Sequence, residues 1–124
     1  MSKPVCLVAI LAAIVIVNLT AVAQSRPLWG RATYYASRYQ GRTMACGGAY
    51  RHRKLVAAVD RKINIPCGKK LRVKNRSNGR VVTVRVKDRC ACYGRTIIDL
   101  SRRAARRLGY VQGGWTRVRV TVLQ

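Results

Sequence analysis

Two runs with a strict two-residue period constrain this chain more than any other feature. Lys70 to Lys74 and Arg80 to Val86 alternate apolar with charged or polar residues, and Ser77-Asn78-Gly79 lies between them. Period-two alternation sends Val82, Val84 and Val86 to one face and Thr83 and Arg85 to the other, as in a strand buried on one side. Asn-Gly accepts positive φ at both central positions of a tight turn, so the two runs are expected to form a hairpin.

Four further strands are read around that hairpin. Trp29 to Tyr35 alternates Ala32 and Tyr34 against Thr33 and Tyr35, Leu55 to Val59 is a short apolar strand, and Thr96 to Leu100 is another. Trp115 to Leu123 closes the domain with Val118, Val120 and Val122 in register. Ser101 caps a short helix whose apolar face is Ala104, Ala105 and Leu108, and Gly109 ends it in the position that favours left-handed geometry. Ser37 to Lys54 reads as a long ordered loop that needs a staple, and Cys46 sits within it. Six strands and one short helix point to a mainly β domain closed as a small barrel. Closure removes the edges that so basic a sheet would otherwise expose.

Charge sets the next limit. Lys and Arg number 26 against three acids, Asp60, Asp88 and Asp99, for a formal net charge of +23. Hydrophobic residues still make up 49% of the chain, which excludes a disordered basic tail. Three acids cannot build a calcium cage or a multi-aspartate magnesium site, and no metal or other cofactor is expected. The partner of such a surface is anionic or neutral.

The N-terminus has its own pattern. Lys3 precedes an apolar run from Val5 to Val17, and Ala21-Val22-Ala23 follows with the small-x-small spacing of a signal peptidase site. The run is shorter than the roughly 20 residues that span a bilayer. Residues 1–23 are therefore read as a signal peptide, 24–28 as a lead-in and 29–124 as the domain, exported to the periplasm or cell wall without a lasting membrane anchor. Cys6 leaves with the signal. Cys46, Cys67, Cys90 and Cys92 remain, and two disulfides among them allow three connectivities. Cys46–Cys67 is preferred because it closes a loop of about 20 residues, and Cys90–Cys92 then pairs by default. The alternative, a zinc site, would join a C-x-C spacing to the lone His52, which matches no standard zinc pattern.

Asp88 directly follows the Arg80–Val86 strand, and Asp99 ends the next one, two residues before the helix cap. An Asp at a helix start can also serve simply as an acceptor for backbone N–H groups. The motifs around both acids, Val86-Lys87-Asp88-Arg89 and Ile97-Ile98-Asp99-Leu100-Ser101, are joined by Gly30-Arg31-Ala32-Thr33-Tyr34-Tyr35, Asn78-Gly79-Arg80, Ala104-Ala105 and Leu108-Gly109. In this order they resemble the rare lipoprotein A family, from Trp29 to Leu123. The resemblance implies a six-stranded double-psi β-barrel shared with expansins, and lytic transglycosylase activity on peptidoglycan glycan strands in some members. It also implies that Asp88 matches a catalytic aspartate and Asp99 an aspartate that expansins set in the same groove. A lytic transglycosylase needs one carboxyl group to protonate the glycosidic oxygen and then take a proton from the sugar's own hydroxyl; a hydrolase needs two, at a defined separation.

The chain departs from the family pattern in four places. Cys46-Gly47-Gly48 replaces a segment carrying a glutamate, Arg51 stands at an aspartate position, Val59 at a histidine position, and Cys90-Ala91-Cys92 replaces a glycine-proline step. Two readings follow: glycan cleavage with Asp88 as acid and base, and a non-catalytic wall-binding or wall-loosening module of expansin type. Within so positive a molecule an exposed carboxyl is held as its anion, and only burial can return its proton near neutral pH. Tyr34, Tyr35, Arg89 and His52 are the expected substrate contacts, with Tyr39 as a further stacking ring. The expected partner of this monomer is a glycan strand or another anionic envelope polymer. Nucleic acid is not expected, because the arginines are scattered rather than clustered.

Overall fold

The structure is a computed structural model that describes residues 2–4, 9–17 and 26–123. Residues 9–17 are exposed and carry no regular secondary structure, while the cleavage site expected at Ala21-Val22-Ala23 and Cys6 lie outside the described residues. Among the described residues no helix is long and apolar enough to cross a membrane.

The period-two runs form the strands. The elements are β1 (Leu28–Tyr34), a 3-10 turn (Ser37–Tyr39), β2 (Val56–Asp60), β3 (Lys70–Asn75), β4 (Val81–Cys90), β5 (Thr96–Leu100), α1 (Arg102–Leu108) and β6 (Thr116–Val122). The strands close into one barrel in the order β1-β5-β2-β4-β3-β6. The pairs β1/β5 and β2/β4 are parallel and the other four are antiparallel. The chain is thus a mainly β, six-stranded closed barrel with one short helix. Inward valines of β3, β4 and β6 meet Ile98 and Leu100, and Ala104, Ala105 and Leu108 of α1 close one side of the same core. Each fully buried aliphatic side chain contributes roughly 1.5–3 kcal/mol, so this cluster drives closure.

Polar groups fix the seams. The Ser101 side chain accepts the Ala104 N–H at the start of α1, and Gly109 ends the helix at φ 77°, where a side chain would be strained. Buried Asn75 donates to the Leu108 carbonyl through Nδ2, while its Oδ1 accepts from the Thr116 hydroxyl and the Ser77 N–H. One side chain thereby joins β3, β6 and the end of α1.

The hairpin forms, but its turn differs from the expected one. Only Gly79 takes positive φ; Asn78 does not. The loop is longer than two residues, closed by Asn75 N–H to Arg80 O and Gly79 N–H to Asn75 O. Asn78 instead spends its side chain, accepting from Arg80 N–H and donating to Leu108 O. The strand ends also differ: β1 stops at Tyr34, one residue before Tyr35, and β4 continues to Cys90.

Tyr35 belongs to a second, smaller cluster beneath the 36–54 loop, with Met44, Tyr50, Val56 and Ala58. Its ring stacks on Tyr50 at 3.9 Å between centroids. Disulfides join Cys46 to Cys67 and Cys90 to Cys92, which is the expected pairing.

Candidate functional site

Simple alternation along β4 would send Asp88 inward with Val82, Val84 and Val86. An irregularity in the β2/β4 ladder prevents this. Ala57 pairs with Val86, but the next residue, Ala58, pairs with Asp88, so Lys87 is extra on its strand. Such a bulge turns the following side chain to the other face. Val86 stays buried in the core while Asp88, half-buried, faces outward with Ala58. On the other side of β2, Ala58 pairs with Asp99. The two carboxylates therefore flank one alanine, two strand spacings apart, or about 9–10 Å between backbones.

These residues floor a cleft of about 650 Å³. Tyr35, Tyr39, Arg61, Arg89, Tyr93 and the Cys90–Cys92 segment form its walls. Asp88 is held from three directions: Oδ2 accepts the Tyr35 hydroxyl at 2.6 Å, and Oδ1 accepts the N–H groups of Ala45 and Arg89 at 2.8 and 2.9 Å. Among the described residues no guanidinium hydrogen-bonds to it. Cys46, next to Ala45, donates its N–H to the Lys87 carbonyl that the bulge leaves free, and the Cys46–Cys67 disulfide ties this loop down.

Asp99 differs. Among the described residues it accepts one hydrogen bond, from the Thr33 hydroxyl at 3.1 Å, and no backbone N–H at the start of α1. Burial pushes its carboxyl up to about 6, with the nearby negative charge of Asp88 adding to the rise and the Thr33 bond opposing it. Burial, and then the bond to Asp88, raises the Tyr35 phenol, so it remains a donor. Arg89 Nη1 is buried without a protein partner, an unspent donor in the cleft wall.

Of the expected contacts, Tyr35, Arg89, Asp88 and Asp99 come together here, as does Tyr39. Tyr34 does not line the cleft: it donates to the Val111 carbonyl, meets Tyr110 edge-on and packs against the main core. His52 also lies outside it, bonded to the Tyr50 hydroxyl at 2.8 Å. Partial burial, with Arg102 and Arg106 nearby, lowers its pKa. Thr33, Arg61 and Tyr93 were not singled out from sequence. Thr33 had a readable signal, because it shares the outward parity of β1 with Tyr35.

A family profile described as lytic transglycolase matches residues 29–120. An uncharacterised Synechocystis protein is 40% identical over 92 residues, covering 74% of this chain and 94% of that one. The endolytic peptidoglycan transglycosylase RlpA of Neisseria meningitidis is 37% identical over 91 residues, covering 73% of this chain but 37% of its own length. The chain thus spans about a third of that relative. The expansin of Clavibacter michiganensis is 30% identical with a TM-score of 0.63, across 80% of this chain and 51% of that one, and a variant of it is solved in complex with cellohexaose.

Proposed function

The chain belongs to the lytic transglycolase family of double-psi β-barrels, and on that premise we propose that it cleaves the glycan strands of peptidoglycan outside the cytoplasm. Two disulfides accord with an oxidising compartment. The observation that carries the reading is the pair of carboxylates flanking Ala58 on the cleft floor, one of them able to keep a proton near neutral pH.

In this reading the proton carrier is Asp99 rather than Asp88 alone. Asp99 gives its proton to the glycosidic oxygen as the bond from that oxygen to the anomeric carbon breaks. The sugar's own hydroxyl then closes on the anomeric carbon and returns a proton to Asp99, leaving an anhydro-sugar end and a restored acid. Asp88, fixed by three donors, holds negative charge beside the ring where positive charge develops. Arg89, in the cleft wall, sets a positive charge beside the bound sugar.

The test is incubation of the mature protein with peptide-free glycan strands, read by mass spectrometry. Anhydro-ended products that vanish in Asp99→Asn and fall at least tenfold in Asp88→Asn are expected. No such products from the wild type would remove the activity. One observation favours a second reading, non-catalytic binding of expansin type: Val59, at the family's histidine position, is buried in the core. That reading predicts glycan binding that is unchanged in Asp99→Asn and no product from either protein.

A further inference from the structure

The three acids all lie on one arc of the barrel, on β2, β4 and β5. The opposite arc, β3-β6-β1, has none, and Lys70, Arg72, Lys74, Arg117, Arg119 and Arg31 stand at its outward positions. Register places like charges directly across the strands: Lys74 opposite Arg119, and Arg31 opposite Arg117. Such pairs cost stability, because neighbouring side chains on one face repel when they share a sign. No carboxylate offsets them.

Two exposed tryptophans organise this face. Trp29 is the cross-strand partner of Arg119, whose guanidinium lies 5.4 Å from its ring centroid, with that of Arg76 at 4.8 Å. Arg31 stacks on Trp115 at 4.2 Å. Stacking orients a guanidinium while leaving its N–H fork free, and Arg presents that fork to carboxylates two bonds at a time. The face is thus an array of pre-positioned donors whose mutual repulsion only an anion relieves.

We propose that the β3-β6-β1 face docks an acidic polymer, the carboxylate-bearing peptidoglycan in which the cleavable glycan is embedded. Charge complementarity selects the class: a face without a single acid and with paired cations binds a polyanion, and carboxylates match the stacked guanidinium forks. The choice of polymer rests on the proposed function. Lys74, Arg117 and Arg119 do not line the Asp88–Asp99 cleft, so docking and cleavage are each testable without the other.

The experiment is sedimentation with purified sacculi across a salt series. Substituting Lys74, Arg117 and Arg119 together by Gln is expected to weaken retention at least tenfold and flatten its salt dependence. Arg103, Arg106 and Arg107 on α1, changed together to Gln, remove the same charge elsewhere and are expected to change retention less than twofold. Sacculi whose carboxylates have been amidated should retain the wild type poorly. The sheet variant should also melt a few degrees higher than wild type at low salt, because the repulsion is gone. Equal losses in the two triple variants, or full retention on amidated sacculi, would overturn the proposal. So would a single-stranded oligonucleotide that binds this face more tightly than soluble peptidoglycan fragments. None of Lys74, Arg117 and Arg119 lines the cleft, so the sheet variant should cleave soluble glycan strands as wild type does, and a failed cleavage assay leaves the docking result readable.

Discussion

At the scale of single residues, the protein depends on how differently it treats two aspartates. Asp99 has its carboxyl raised to about 6, so the native state binds more protons than the unfolded chain between about 3.8 and 6. Stability therefore falls as pH rises through that window. Asp99→Asn is expected to exceed wild type by about 1–3 kcal/mol above about pH 7, with the gain vanishing below about pH 4, measured by urea denaturation. If Asp99 is the acid, cleavage should fall as pH rises past about 6, since the proton it donates is lost. Tyr35→Phe removes one of the three donors on Asp88. We expect it to cost about 1–2 kcal/mol in chemical denaturation and to slow product formation. Both aspartates were legible as candidates because the chain has almost no other acids, but the direction of Asp88 was not. A period of two aims it into the core, and only the extra residue at Lys87 aims it out. Parity did separate Tyr34 from Tyr35: Tyr34 lies on the side of Ala32 and meets Tyr110 rather than the cleft.

At the scale of elements, strands were readable wherever an apolar side alternated with a charged one, and their ends were not. β4 continues past Val86 because its later residues pair with β2, a strand about 30 positions earlier in the sequence. Nothing local announces that. The Asn-Gly step signalled a reversal, yet the role of Asn78 was set by the end of α1, which needs its last carbonyls met. Asn75 is the clearest case of a residue whose importance comes from three elements at once. Asn75→Ala should cost about 1–3 kcal/mol, because it takes the acceptor from the Thr116 hydroxyl in a dry seam and leaves the Leu108 carbonyl to Asn78 alone. Thermal melting followed by circular dichroism checks this. Asn78→Ala loses a half-exposed bond to the same carbonyl and should cost about 1 kcal/mol.

For the molecule as a whole, the loop from residue 36 to 54 was recognisable only as irregular and in need of a staple. Its fold comes from the Cys46–Cys67 link and from the small core of Tyr35, Met44 and Tyr50. Cys67→Ser, paired with Cys46→Ser, should lower stability by about 3 kcal/mol, read from denaturant midpoints. Cleavage should decline more than glycan binding, because this loop carries the Ala45 N–H that grips Asp88. The topology has another consequence. The first strand is flanked by the last two, with Trp29 beside Arg119 and Thr33 beside Asp99. In a nascent chain β1 meets its first partner only when β5 is made, and Leu28 and Gly30 meet theirs only with Val120 and Val118. The barrel is therefore assembled in one late, slow step after synthesis of nearly the whole domain, and losing β6 should leave an unstructured chain rather than a smaller barrel.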